Sequence, residues 1–304
     1  MPRYPLSNNV KGACWKILSC AAFASIQAIV RYLTRAEHST TVALSVNGVL
    51  FFQSLFSVLC LLPLLYKNKW HSFATQHLNW HFLKVLCAVI GLSLFYLSVK
   101  YLPLAQSIAL HFLSPVIAMI GARYLLQEKI TFFCFSVLLL SLIGAMLILY
   151  PEFLRMQHLS VAWIVLLPVG AAIALAASKL VTRHLGVLQE HPKTITTYLL
   201  FFTLPVSFIF ALFDWVTPHA SQWLWLLLLG ILNVFAHYSF SSAYTNASIS
   251  FLTPFGYCKF LFGTLLGYAF FNEFPQNIIS IIGMACILLS AVMMQYTKEI
   301  KKLD

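Results

Sequence analysis

The chain has 304 residues, 61% of them apolar and only 9% charged, with a mean hydropathy of +0.86. An average soluble domain carries roughly a quarter charged residues, so no water-soluble globule could hide this much apolar surface. The net charge of +11 is spread along the chain as expected for membrane topology, which argues against nucleic-acid binding.

A bilayer-spanning helix needs about 20 mostly apolar residues. A hydropathy window of about 19 residues predicts ten spans, near 12–33, 42–66, 82–101, 107–126, 132–150, 161–182, 194–213, 223–244, 250–271 and 278–296. Between them stand polar and proline breaks: His38-Ser39-Thr40, Lys67-Asn68-Lys69, Leu102-Pro103, Gln127-Glu128-Lys129, Pro151, His191-Pro192, Thr217-Pro218 and Pro275-Gln276-Asn277. The first apolar run is full length, carries Lys11, Lys16 and Arg31, and lacks a small-residue cleavage site, so it is expected to remain as the first span. Cys14, Cys20, Cys60, Cys87, Cys134, Cys258 and Cys286 all fall in apolar stretches without metal-type or disulfide-type spacing, and read as free thiols packing as small apolar residues.

Positive loops resist translocation. With the N-terminus inside, the inner side collects Arg3, Lys11, Lys16, Lys67, Lys69, Lys84, Arg123, Lys129, Lys179, Arg183, Lys193, Lys298, Lys301 and Lys302, against Arg31, Arg35, Lys100 and Arg155 outside. Both termini are therefore expected in the cytoplasm, which requires an even number of spans.

The chain also repeats. Leu113-Ser114-Pro115 opens a stretch that ends Leu126-Gln127-Glu128, and Leu252-Thr253-Pro254 opens one that ends Phe271-Asn272-Glu273. The glutamates stand almost half a chain apart, with an odd number of spans between the copies, so the two halves run in opposite orientations. The expected fold is an all-α integral membrane protein of ten transmembrane helices arranged as two inverted five-helix repeats, residues 1–150 and 151–304. Inverted repeats of this kind belong to secondary transporters.

Several pieces of sequence carry a family resemblance. In the first half they are Val30-Arg31-Tyr32, Phe51-Phe52-Gln53-Ser54 and Tyr101-Leu102-Pro103-Leu104-Ala105, leading into Ser114-Pro115 and Glu128. In the second they are Ala243-Tyr244, Pro254, Tyr257-x-Lys259, and Gly267-Tyr268 leading to Phe271-Asn272-Glu273-Phe274-Pro275. In order and spacing the chain resembles the drug/metabolite transporter superfamily, EamA-like branch. The resemblance implies a 5+5 fold around a central cavity, moving small solutes without ATP, and no Walker-type phosphate loop occurs. Two positions depart from the family pattern: Gln53 stands where relatives often have Phe-Arg, and Lys259 where they are often neutral or acidic. No cofactor is expected. The expected membrane, judged from the resemblance and the short loops, is a bacterial inner membrane.

The candidate substrate site centres on Lys259, placed near the middle of the ninth span. A charge at that depth costs at least about 3 kcal/mol unless it faces a cavity or a partner. Helical spacing puts Phe255, Gly256, Phe262 and Gly263 on its face, and Gly256 and Gly263 leave room for a ligand or a neighbouring helix. His111, a turn before Pro115, and His237, which shares a face with Asn233, are further candidates. So are Asn47 and Gln53 in the second span. Tyr96, Tyr244 and Tyr257, with Phe95 and Tyr238, are candidate aromatic walls. Trp15, Trp80, Trp163, Trp215, Trp223 and Trp225 read as an interfacial belt, and Glu128 and Glu273 as helix-end anchors.

A cationic cavity favours an anionic or zwitterionic substrate such as an amino acid, an organic acid or a nucleotide-like metabolite. An S-adenosylmethionine-type uptake carrier is the alternative, in which the sulfonium suits Lys259 poorly while the carboxylate suits it well. A proton coupled to transport and a homodimer are left open. His71, His77 and His81 lack the cysteine or carboxylate company of a metal site, so none is expected. An intramembrane serine hydrolase built on Gly91-x-Ser93 lacks the second glycine such elbows use. The sequence reads as a carrier and not an enzyme.

Overall fold

A computed structural model describes residues 6–34, 43–67, 75–101, 113–128, 131–154, 162–271 and 278–300. The helices are α1 (Leu6–Thr34), α2 (Val46–Lys67), α3 (Leu78–Tyr101), α4 (Leu113–Leu125), α5 (Phe132–Leu154), α6 (Ala162–Val187), α7 (Pro192–Ala211) and α8 (Trp223–Asn246). They are followed by α9 (Ile249–Leu252), a 3-10 turn (Pro254–Tyr257), α10 (Cys258–Phe271) and α11 (Ile278–Ile300). Among the described residues there is no strand. Among the described residues seven helical segments are long and apolar enough to cross a membrane and three more are shorter apolar helices, in register with the ten expected spans.

The inverted repeat is visible in who packs on whom. α3 lies along α6, and its counterpart α8 lies along α1; α1 meets α10, and α6 meets α4; α2 meets α8, and α7 meets α3. The remaining large contacts, α2 with α7 and α5 with α11, pair equivalent helices across the two halves. Exchanging the first five spans for the last five reproduces the same contacts, as an approximate two-fold axis requires.

Helices in lipid associate through close packing and small residues rather than through a hydrophobic drive. α5 and α11 come so close at Gly144 that a Cβ there would sit 2.7 Å from the carbonyl oxygen of Gly283, and at Gly230 of α8 a Cβ would sit 2.3 Å from Cβ of Phe56. Gly91 is likewise filled by Leu175, at 2.6 Å from where its Cβ would be. The glycine of the Gly91-x-Ser93 pair is thus a packing position between α3 and α6.

Two helix ends use a left-handed residue that is not glycine. Gln127 (φ 51°) closes α4 and Gln189 (φ 64°) closes α6. The amide of Glu128 donates to the carbonyl of Ala122 at 3.0 Å, and that of Glu190 to the carbonyl of Leu185 at 3.0 Å. Such reverse turns satisfy the open carbonyls of a helix end. Each also points a glutamate back toward the bundle.

The ninth span departs from the sequence reading. Pro254 has no amide hydrogen to continue the ladder, and the chain passes from α9 through the 3-10 turn before α10 begins. Lys259 is therefore the second residue of a new helix rather than the middle of a continuous one, and the simple helical-face argument for Phe255 and Gly256 does not hold across the break.

Substituting Gly144 by Val forces α5 and α11 apart. Overpacking of this kind costs about 1–3 kcal/mol, so Gly144→Val is expected to lower the melting temperature of the detergent-solubilised protein relative to wild type, while Gly263→Ala, with nothing within 4 Å of its Cβ position, is expected to leave it unchanged.

Candidate functional site

α1 carries Lys16, Cys20 and Phe23 at spacings of four and three, so the three share one face. That face looks onto α8 and onto the break in the ninth span. The Lys16 ammonium lies 3.4 Å from the Tyr244 hydroxyl, 4.6 Å from the Phe240 ring centre and 4.9 Å from that of Tyr244. The side chain is 6% exposed, and a Cβ on Gly256 would sit 4.0 Å from its nitrogen. Space beside Gly256 is therefore space beside Lys16.

One turn along, the Cys20 thiol donates to the carbonyls of Phe255 and Gly256 at 3.5 and 3.6 Å. These belong to the broken segment of the ninth span, where backbone groups freed from the helix need partners inside the membrane. Cys20 is thus more than a small apolar filler.

Phe23 joins the remaining groups. Lys259 stands 5.9 Å from its ring centre, and the His237 imidazole meets the same ring edge-on at 5.1 Å between centres. Phe240 lies 6.4 Å from Phe23. Cation–π contacts of this length hold an ammonium without neutralising it. From α6, Lys179 donates to the Ser114 hydroxyl of α4 at 2.8 Å. Lys16 and Lys259 thus flank the α1 face that carries Cys20 and Phe23. Three helices from two halves each carry a lysine into this part of the bundle.

A second buried network lies just beyond. Arg183, one turn after Lys179, donates from Nε to Glu128 Oε1 at 3.0 Å and from a terminal nitrogen to the Tyr244 carbonyl at 3.0 Å. The Glu128 carboxylate also accepts from the amides of Ile249 and Ser250, both at 3.4 Å, and from the Ser250 hydroxyl at 3.2 Å. Their side chains are only 5% and 11% exposed. The anchor role expected for Glu128 has Arg183 and the start of α9 as its partners. Lys129, Glu273 and His111 lie outside the described residues.

The other candidate residues spread over the bundle. Tyr257, 2% exposed, packs with Met119, Leu138, Ala145 and Ile287, on the scaffold side of its segment. Tyr244 sits at the centre of both networks. Gln53 is buried in α2, where its carbonyl accepts the Ser57 hydroxyl at 2.6 Å, and the same hydroxyl takes the amide of Asn233 at 2.9 Å. Asn47 donates to Asp214 at 3.0 Å at an exposed site joining α2 to the end of α7. Tyr96 falls on α3, its side chain outside what is described. Gly263 faces open space.

Lys16, Lys84 and Lys179, which the sequence places near the inner ends of the first, third and sixth spans, all lie within helices. α1 begins at Leu6 and α6 ends at Val187, so at 1.5 Å per residue Lys16 and Lys179 lie about 15 and 12 Å inside their helix ends. Lys84, 2% exposed, donates to the Ile195 carbonyl at 3.4 Å. The nearby His81 stacks on Tyr198 at 4.5 Å and reaches Glu190 at 3.8 Å, and Glu190 also accepts from the Thr75 hydroxyl.

A cavity of about 380 Å³ opens at the end of the bundle that carries the start of α1. Asn8, Lys11, Trp15, Tyr238, Glu190 and His191 help line it; of the candidate aromatic walls Tyr238 is there, while Lys259, His237 and Tyr244 are not among its lining. Trp15 and Tyr238 meet edge-on across it at 5.6 Å. Burial, aided by the Lys193 charge, holds the His191 imidazole below its ordinary pKa.

The buried ion pair generates a prediction. Removing one partner of such a pair strands the other and costs about 3–5 kcal/mol, whereas replacing both by apolar groups is often close to neutral. Glu128→Leu is expected to unfold at lower denaturant than the Glu128→Leu/Arg183→Met double variant, read in a double-mutant cycle on the purified protein. Asn47→Ala, at its exposed site, is expected to shift stability by less than about 1 kcal/mol in the same assay.

The model of the EamA-like transporter family matches residues 10–150 and again 162–296. A riboflavin transporter of Vibrio cholerae is 34% identical over 287 residues, 92% of this chain and 91% of that protein. An S-adenosylmethionine uptake transporter of Rickettsia prowazekii is 24% identical over 98% of this chain and 97% of its own length. A crystal structure of a protein 16% identical to this chain, covering 98% of this chain and 99% of that one, superposes with a TM-score of 0.73 and so has the same fold.

Proposed function

The chain belongs to the EamA-like transporter family, and we propose that the small metabolite it carries is a flavin, riboflavin in the first instance. A small-molecule transporter, not an enzyme, is what the family and its relatives establish. The observation that carries the substrate reading is the 34% identity, over nine-tenths of both chains, to a protein called a riboflavin transporter.

The geometry is compatible with that cargo. An isoalloxazine ring is planar and aromatic on both faces, with carbonyl and ring-nitrogen acceptors along one edge. Phe23, Phe240 and Tyr244 supply rings, and Lys259 and Lys16 supply donors beside the same rings. Aromatic walls with a few placed polar groups are the usual composition of a small-molecule site. S-adenosylmethionine, the cargo in the name of the Rickettsia relative, suits this site less well, because its sulfonium would enter beside three ammoniums.

Transport follows alternating access in this proposal, with the two inverted halves rocking about the lysine region. The Glu128–Arg183 pair spans the halves and ties the start of α9 to α6, so its opening and closing would accompany the exchange of faces. The membrane is the bacterial inner membrane, and both termini are cytoplasmic. The cavity lined by Trp15 and Tyr238 then faces the cytoplasm as a vestibule.

The test is uptake of labelled riboflavin by a riboflavin-auxotrophic bacterium expressing the chain, with labelled S-adenosylmethionine as the parallel arm. Expression is expected to raise riboflavin uptake above the empty-vector control. Loss of a hydrogen bond from a charged donor costs about 1.5–3 kcal/mol, so Lys259→Ala at matched protein level is expected to weaken apparent affinity roughly 10- to 100-fold. Uptake of S-adenosylmethionine alone would overturn the flavin reading.

A further inference from the structure

We propose that Lys16, Lys179 and Lys259 together form a seat for an anionic group, and that flavin is carried with such a group in place, either its own phosphate or a free phosphate bound beside it. The inference rests on the flavin reading above and specifies the charge state of the cargo.

Three observations carry it. The three lysines come from α1, α10 and α6: Lys16 lies against Phe240 and Lys259 against Phe23, two rings 6.4 Å apart, and Lys179 reaches Ser114 of α4. Among the described residues their partners are all neutral: a tyrosine hydroxyl and two rings for Lys16, a serine hydroxyl for Lys179, a phenylalanine ring for Lys259. Among the described residues, the nearby carboxylates are engaged elsewhere, Glu128 by Arg183 and Glu190 by the Thr75 hydroxyl. The thiol at the middle of the cluster, Cys20, donates its hydrogen to backbone carbonyls and supplies no counter-charge.

Ammoniums gathered in an apolar bundle repel one another and forgo hydration, and they are tolerated where an opposite charge arrives. A neutral isoalloxazine brings acceptors but no charge. A phosphate brings two negative charges near neutral pH and three acceptor oxygens, one for each ammonium, in charge-assisted hydrogen bonds. Phe23, which touches both Lys259 and His237, and Phe240, which touches Lys16, place aromatic rings next to that seat.

The experiment is thermal unfolding and equilibrium binding of the full chain in nanodiscs with three probes: riboflavin, flavin mononucleotide and inorganic phosphate. If the phosphate belongs to the cargo, flavin mononucleotide binds about tenfold or more tighter than riboflavin. If it is free, riboflavin binding tightens by a similar factor when inorganic phosphate is added. In either case Lys179→Gln and Lys259→Gln, checked for folding by their own melting curves, shrink the difference. Equal binding of both flavins by wild type, unaffected by phosphate, overturns the proposal without any variant. Stabilisation of wild type by inorganic phosphate but by neither flavin would leave the seat standing and remove the flavin reading. Silence from all three probes removes both.

Discussion

A backbone that crosses hydrocarbon must satisfy its own hydrogen bonds, and the ninth span is where this chain meets that constraint off the regular helix. Pro254 interrupts the ladder, and the carbonyls of Phe255 and Gly256 are answered from a neighbouring helix by the Cys20 thiol. The break also delivers Lys259 as the second residue of a fresh helix, beside Phe23, while Gly256 leaves space against Lys16. Backbone irregularity and buried charge thus occur at one place because each requires the other's surroundings: polar partners, small residues and a gap between helices.

Around this centre the two halves are joined by a few strongly directional contacts. Glu128, at the end of α4, is held by Arg183 of α6 and by amides at the start of α9, and Arg183 reaches on to the Tyr244 carbonyl. The Tyr244 hydroxyl in turn faces Lys16. A movement of Lys16 or of a ligand beside it is therefore one residue away from the ion pair that bridges the halves. At Gly144 and Gly283 the halves instead meet by close backbone approach, which fixes distance but carries no charge.

Much of the architecture was legible in the sequence, because the bilayer writes length and hydropathy directly into each span, and the repeated Ser/Thr-Pro motifs and closing glutamates marked the inverted halves. Lys259 was legible for the same reason, as a lone charge in an apolar run. Lys16, Lys84 and Lys179 fall inside the predicted spans but count there only as inner-end charges, because a hydropathy window does not tell how deep a helix end is buried. A signal was nonetheless present: Lys16, Cys20 and Phe23 form one helical stripe, and Asn233, His237, Phe240 and Tyr244 another. Which stripes face each other is fixed by contacts more than 200 residues apart, such as Lys16 with Tyr244, and no local pattern encodes that. Asn47 and Gln53 looked similar in sequence, yet one lies at an exposed helix-end contact and the other in the buried seam of α2.

The account stands on a single location for the cargo, between the aromatic faces of α1 and α8 and against Lys259. The direct measurement is an electron cryomicroscopy structure of the full chain in nanodiscs with saturating flavin. The predicted result is ring density in contact with Phe23 and within hydrogen-bond distance of the Lys259 ammonium. Flavin density seated instead in the cavity of Trp15, Tyr238 and His191, with the three lysines untouched, would contradict it.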